Sequence, residues 1–445
     1  MRLTVLGGGG FRVPLMYRAL AGRAELGIDE VVLYDTDSSR LAAIAAVLRA
    51  TPGPTVTTVT DAARALDGAD VVFAAIRVGG SGGRIADERR ALDHGVLGQE
   101  TVGAGGLAFG LRTLPVMLDL AEAAARYAPG AWFLSFTNPA GMVTEAVRTV
   151  LGDRAVGICD SPVGLVRRAV GAARRHGLAP DDPAAPIEVD YVGINHLGWL
   201  RALRVAGQDV LPALLSDDVA LHSFEEGRLF GPDLLRALGC LPNEYLAFYY
   251  DHLDLTAHLR TAATRGEVVA GQQDAFFAAA SEDPAGAARW WEDARLRREQ
   301  SYLAETRGSA EPRDEADLSG GGYEHVALDL IQALHTGSAT RLILDVPNGV
   351  ALPQLPPDMV VELPCTVDAA GFRADPVGPL DLHQLGLIAS VRAAERAVID
   401  AIRTGSRTVA LRAFAIHPLV GSPRIATELL ADVLGSTPDL AARLR

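Results

Sequence analysis

The sequence predicts an α/β fold: an N-terminal Rossmann-like, doubly wound parallel sheet followed by a mixed α+β half. Three observations carry that expectation. Short apolar stretches alternate with segments of helical spacing through the first 150 residues, the pattern of βα units in a parallel sheet. Four glycines, Gly7-Gly8-Gly9-Gly10, separate the first strand from the first helix. Two later apolar segments end on polar pairs, Cys159-Asp160 and Asn195-His196, and strand ends are where open α/β sheets place their sites.

Taken in order, residues 3–6, 30–34, 55–59, 70–76 and 131–136 read as buried strands, and 13–24, 38–49 and 113–127 as helices. Thr60 or Asp61 stands ready to cap a short helix. Residues 79–106 carry nine glycines and mixed charge, so they read as a long loop of functional character. Beyond Cys159 the pattern is more helical, at 164–175, 227–239, 243–252, 284–306 and 323–334. Strands follow at 341–346 and 359–363, then helices at 381–404 and 406–414, with turn-rich connectors at 314–322 and 352–357. A chain of 445 residues exceeds one ordinary core, and the division expected is 1–155 and 156–445.

Composition removes whole classes of function. A net charge of −14 disfavours nucleic acid and anionic membrane as partners. No uninterrupted run of about 18 apolar residues suggests a membrane span, and the N-terminus lacks the pattern of a secretory signal. Cys159, Cys240 and Cys365 are too scattered for a disulfide framework, so a cytoplasmic enzyme is expected. All 41 basic residues are arginine. Without lysine there is no Schiff base and no Walker-type phosphate loop, and any substrate anion must rely on guanidinium forks.

The glycine cluster has the strand-to-helix setting of a dinucleotide loop, where backbone approaches a pyrophosphate at a helix N-terminus. The fit is partial, since Arg12 stands where a third spaced glycine belongs. Asp35 closes the second strand and suits ribose hydroxyls, favouring NAD over NADP. Cys159 and His196 offer a thiolate and an imidazole for a divalent metal; singly, each is equally a buried core residue. Arg84, in the segment Arg84-Ile85-Ala86-Asp87-Glu88-Arg89, is available to an anion, and Asn138 either caps the helix after it or reaches a sugar hydroxyl. Pro139 suits the first turn of that helix.

Together these segments are similar to one family. The glycine loop, Arg84-x-x-Asp87-Glu88, Gly98-Gln99-Glu100-Thr101-Val102-Gly103, Thr137-Asn138-Pro139-Ala140, Gly157-Ile158-Cys159-Asp160, Gly193-Ile194-Asn195-His196, Leu241-Pro242-Asn243-Glu244-Tyr245, Gly321-Gly322-Tyr323 and His417-Pro418-Leu419-Val420 run in order over nearly the whole chain. They resemble glycoside hydrolase family 4, the NAD- and metal-dependent glycosidases, and most closely its 6-phospho-β-glucosidase branch.

The resemblance implies a reaction unlike ordinary two-carboxylate glycosidases. NAD⁺ takes hydride from C3 of the sugar, which acidifies the C2 proton. A base removes that proton with a metal polarising the sugar oxygens, the C1 substituent leaves, water adds, and hydride returns. By position, Gly7, Gly9, Gly10 and Asp35 hold NAD⁺ and Cys159 and His196 hold the metal. Tyr245 is the C2 base and Asp160 the acid assisting the leaving group. Arg84, Asn138, Arg265 and Asn195 contact a phosphorylated sugar. Mn²⁺ is the family metal, although a thiolate–imidazole pair alone favours zinc; substrate hydroxyls supply the harder ligands. A homodimer or homotetramer is implied.

The chain departs from the family at Gly10, where many members have serine, and Asp160 is shared with α-specific members. Alternatives are an α-linked or unphosphorylated glycoside as substrate, a metal-assisted NAD-dependent 2-hydroxy-acid dehydrogenase, and a non-catalytic NAD-binding regulator.

Overall fold

The computed structural model describes residues 1–302 and 322–445. Six parallel strands form its first half: β1 (Arg2–Leu6), β2 (Glu30–Tyr34), β3 (Thr55–Val59), β4 (Val71–Ala74), β5 (Trp132–Ser135) and β6 (Ala155–Gly157). They lie side by side in the order β3-β2-β1-β4-β5-β6, the dinucleotide-fold order whose reversal between β1 and β4 opens a crevice at the strands' carboxyl ends. Helices α1 (Val13–Ala21), α2 (Ser38–Leu48), α3 (Ala62–Leu66), α4 (Gly80–Asp93), α5 (Gly103–Tyr127) and α6 (Ala140–Leu151) connect them. Asp37 caps α2 and Asp61 caps α3 with their carboxylates.

The second half extends the same sheet. Beyond β6 the order continues through β11 (Thr340–Pro347), β12 (Val360–Asp368), β7 (Ile187–Ile194), β8 (Leu197–Val205) and β10 (Leu241–Pro242), all antiparallel to their neighbours. Short β9 (Gln208–Asp209) and β13 (Gly371–Ala374) pair at the side of β8 and β12. The mixed half therefore holds more strand than its apolar pattern showed, because β8 and β12 are buried along most of their length and lack alternation. One face of the parallel half packs α5, α6 and the helix Leu382–Thr404 around a shared core.

Several expected elements need correction. The loop foreseen over 79–106 is mostly helix: α4 runs from Gly80 to Asp93 and α5 begins at Gly103, ten residues before its expected start. Helix α4 escaped notice because its buried side is polar, with Arg84, Asp87 and Glu88 facing inward beside Ala91 and Leu92. The 227–239 helix is two, Glu225–Phe230 and Pro232–Leu238, divided at Gly231, whose φ is 72°. The 243–252 helix is a 3₁₀ turn, Glu244–Leu246, followed by Ala247–Tyr250. The 284–306 helix is described as Ala287–Gln300; its end beyond 302, the 314–321 connector and Gly321 lie outside the described residues. Helix α5 has the length and hydropathy to cross a membrane, but 72% of its most apolar window is buried within the fold. It is a core helix.

The N-terminus of α6 shows how the halves interlock. Its N-cap is Pro139, and no side chain of its own segment caps it, so Asn138 does not have the capping role open to it. The Asn195 Oδ1 accepts from the Ala140 amide at 3.0 Å, supplying the missing acceptor from the β7–β8 turn. Asn195→Ala should lower stability by about 1 kcal/mol, the usual worth of such a cap, with the denaturant midpoint as readout; an unchanged midpoint would mean that water replaces the cap.

Candidate active site

A single cavity of about 680 Å³ runs along the carboxyl ends of β1, β4 and β6. One end is the glycine loop. The φ of Gly7 is 90°, and a Cβ there would sit 2.5 Å from the Ala75 carbonyl oxygen, so only glycine lets β1 turn this close to β4. The Gly9 amide donates to Asp35 Oδ2 at 3.0 Å, and the Asp37 amide donates to Asp35 Oδ1 at 3.1 Å. A Cβ on Gly9 would meet Asp35 and Arg40 at 2.9 Å. Gly10 closes the turn by donating to the Gly7 carbonyl at 2.9 Å. Helix α1 starts immediately afterwards with no side-chain cap, leaving its N-terminus available to an anion. Gly7, Gly9, Gly10 and Asp35 all line the cavity. This cradle fits a dinucleotide.

Cys159, Asp160, His196 and Tyr245 line the same cavity. Cys159 follows β6 and is 3% exposed. Burial, with Glu362 and Asp160 nearby, pushes its thiol well above the ordinary range, so a metal must displace the proton to gain a thiolate. His196 forms the two-residue turn between β7 and β8 with Asn195, at a φ of 63°. Burial lowers its pKa to about 4 against the opposing pull of Asp160 and Glu100, leaving a neutral imidazole at pH 7. Its Nδ1 lies 2.8 Å from the Thr101 hydroxyl, which in turn reaches Gln99 Oε1 at 3.2 Å. Nδ1–H donating to Thr101 leaves Nε2 as the ligand atom, the usual outer-shell arrangement of a metal histidine. Gln99 is itself fixed by the amides of Thr101 and Val102 at 2.6 and 2.7 Å, just ahead of α5. A thiol and a neutral imidazole lining one cavity are by chemistry a donor pair suited to a divalent metal. No group of three or more His, Cys, Asp or Glu side chains among the described residues forms a closed metal site.

The Tyr245 ring lies flat on His196, with centroids 3.7 Å apart and planes within 1°. Its amide donates to Asn243 Oδ1 at 3.0 Å. The preceding Glu244 lies 3.5 Å from Arg168, which also grips Glu226; burial raises Glu244 to about 8 despite Arg168. Burial likewise raises the Tyr245 phenol, and Glu100 and Glu244 add to the rise against the Tyr302 hydroxyl. Without a cation beside it the phenol stays protonated. Asp160 behaves differently: burial would raise it, but Arg12, 2.8 Å away, holds its carboxyl below the ordinary range.

The arginines are sorted less simply than the sequence implied. Arg84 lines the cavity, but its fork already faces Glu88 at 2.8 Å and Glu100. Glu100 also pairs with Arg77 at 3.1 Å and is held down at about 2. Arg265, at the start of the helix Arg265–Glu282, donates to the Ser301 and Arg298 carbonyls. Arg298, absent from the sequence reading, borders the cavity with a buried Nη1 that has no hydrogen-bond partner among the described residues. Burial and the neighbouring Arg12 and Arg265 cations depress its pKa to about 9, against the opposing pull of Glu299. Spacing gave no sign of it, since it sits on a charged helix with ordinary solvent-facing neighbours. Asn138 borders the cavity. Asn195 is not among the lining residues; its Oδ1 serves the α6 amide.

Comparison with known proteins agrees with this construction. A model described as family 4 glycosyl hydrolase matches residues 2–172, and one described as the family 4 glycosyl hydrolase C-terminal domain matches 191–420. A probable 6-phospho-beta-glucosidase of Bacillus subtilis is 32% identical over 84% of this chain and 80% of its own. A 6-phospho-alpha-glucosidase of Lacticaseibacillus paracasei is 28% identical over 100% and 98%. The structure of a Thermotoga maritima 6-phospho-beta glucosidase with manganese, NAD⁺ and glucose-6-phosphate superposes with a TM-score of 0.82, at 25% identity over 99% of both chains. Both halves match the two family models in order along one continuous sheet, and the chain belongs to glycoside hydrolase family 4.

Proposed function

We propose that the protein is a 6-phospho-β-glucosidase that uses NAD⁺ and a divalent metal, Mn²⁺, to cleave its substrate by elimination and re-addition. The observation that carries this reading is the single cavity that joins the glycine loop to Cys159, His196 and Tyr245. A redox cofactor and a metal site then face one substrate. The similar Thermotoga structure with manganese, NAD⁺ and glucose-6-phosphate supports the cofactors, and the Bacillus relative supports the β-linkage. The Lacticaseibacillus relative favours a second reading, an α-linked 6-phosphoglycoside. A panel of nitrophenyl α- and β-glucosides, with and without 6-phosphate, tests both. Cleavage of the α-phosphoglucoside alone would replace the β reading with the second, and equal cleavage of unphosphorylated glucosides would remove the phosphate requirement. Residues up to about 155 are assigned to the dinucleotide and the remainder to metal, sugar and subunit contacts.

Each residue then has a task. Asp35 and the loop amides seat the cofactor so that its reactive ring reaches the sugar. Cys159 and His196 would hold the metal, which when bound polarises the sugar hydroxyls and lowers the cost of ionising neighbours. Tyr245, stacked on His196, removes the C2 proton as phenolate. Asp160 borders the leaving group. Its ion pair with Arg12 leaves it ionised in this structure, so to serve as acid it must first gain a proton. Arg265 and Arg298 supply positive charge for the phosphate, while Arg84 is occupied by Glu88 and Glu100.

Three outcomes follow from these assignments. Cys159→Ser should lose Mn²⁺ binding and activity while keeping NAD⁺ binding nearly intact, measured by separate calorimetric titrations; undiminished Mn²⁺ affinity would sink the metal assignment. Tyr245→Phe should slow turnover roughly 10²-fold or more. Wild-type product formed in heavy water should carry deuterium at C2, and its absence there would remove the elimination mechanism. Arg298→Met should raise the Michaelis constant for the phosphorylated glucoside roughly 10- to 150-fold, the worth of one charge-assisted bond, with little change in kcat. A smaller effect than that of Arg84→Ala would return the phosphate to Arg84.

A further inference from the structure

The geometry points to Arg12 as a positioning residue that latches the cofactor loop to the carboxylate beside the proposed metal ligand. The inference rests on the assignment of the glycine loop to NAD⁺ and of Cys159 to the metal. Arg12 occupies the N-cap position of α1, two residues after the last glycine, so its backbone belongs to the loop that would face the pyrophosphate. Its side chain leaves that loop and reaches Asp160 Oδ2 at 2.8 Å. Asp160 stands next to Cys159, ahead of α7 (Ser161–Arg175), and makes no capping bond with its side chain there.

The contacts around the pair are built to hold it. The Arg12 guanidinium lies 4.5 Å from the Tyr323 ring centroid and 5.6 Å from that of Phe136. Those two rings stack on each other at 4.2 Å, fixing the surface on which the cation rests. The Tyr323 hydroxyl donates to the Arg12 carbonyl at 2.8 Å, and the Trp291 indole donates to the Phe11 carbonyl at 2.7 Å. Residues 11 and 12 are therefore anchored from the second half of the chain, and through Arg12 they anchor Asp160. A loop already ordered loses less freedom when a ligand binds. Release of either end of the latch should thus weaken the cofactor, although Asp160 stands beside the proposed metal ligand and not on the cofactor loop.

Calorimetric titration of the full-length protein with NAD⁺ tests this, using wild type, Arg12→Met, Asp160→Asn and the double variant, with denaturation midpoints taken in parallel. Both single variants should bind NAD⁺ about 5-fold or more weakly, in the range of ordinary site-to-site coupling. The double variant should bind no more weakly than the worse single one, because both remove one interaction. Tyr323→Phe, which frees the Arg12 carbonyl and leaves the ion pair intact, should move NAD⁺ affinity in the same direction if any variant above proves poorly folded. Wild-type affinity in Asp160→Asn would overturn the latch and leave Arg12 as a direct phosphate contact. Fully multiplicative effects in the double variant would overturn it as well. A wild-type protein that bound no NAD⁺ would overturn the cofactor reading, and the latch with it.

Discussion

Removal from water governs the chemistry of this site more than any single contact does. Cys159, His196 and Tyr245 all sit at the bottom of one cleft, and burial is the largest influence on each. It keeps thiol, imidazole and phenol uncharged together, a state in which none repels its neighbours and none is yet a strong ligand or base. A divalent cation in their midst would reverse that balance for the thiol and phenol at once and find the imidazole already neutral. The three groups are thus uncharged without a metal, and under the proposed function metal binding would be what ionises the thiol and the phenol. The contacts that aim these groups follow the same logic, with neutral hydrogen bonds from Thr101 and Asn243 doing the orienting.

Charge is handled by arginine alone, and the structure separates guanidiniums that support from those that remain available. Arg168, Arg84 and Arg12 each face carboxylates inside the fold. A buried pair of this kind offsets its own desolvation at best, so the gain lies in geometry: Arg168 secures the Glu244–Tyr245 segment, and Arg84 fastens α4 to the Glu100 turn. Arg298 has a buried nitrogen without a hydrogen-bond partner among the described residues, and the cations around it outweigh Glu299. An anion entering there relieves repulsion as well as gaining attraction. Lysine, a point charge with a flexible stem, would not hold these bidentate angles.

Much of this was legible in the sequence, for reasons that can be traced. The parallel half was readable because β1, β2 and β4 are nearly continuous apolar runs punctuated by helical spacing. Cys159, His196 and Tyr245 were recognisable as a set through their motifs, and they do share one cavity. Helix α4 was missed because its inward face carries Arg84, Asp87 and Glu88, so its periodicity is one of charge and escapes a hydropathy pattern. The tie of Asn195 Oδ1 to the α6 amide, 55 positions away, could not be read from its motif. Arg12 and Arg298 owe their roles to partners 148 positions away, in one case, and to a gathering of cations from separate helices in the other. Neither relation leaves a trace in local spacing.

The proposed reaction also explains why linkage specificity is hard to read from the catalytic residues. A displacement at the anomeric carbon demands one group on each face of the sugar, so the separation of two carboxylates encodes the stereochemistry. A reaction that opens with hydride and proton removal at C3 and C2 places its demanding geometry away from the anomeric bond. Tyr245, His196 and Cys159 would then serve either linkage with the same arrangement. Discrimination would then fall to the side chains around the departing group, on the part of the cavity that includes the proposed acid Asp160. Arg12 pairs with Asp160 and rests on the stacked rings. The residue that departs from the dinucleotide pattern in the sequence is therefore also the one that ties the glycine loop to Asp160.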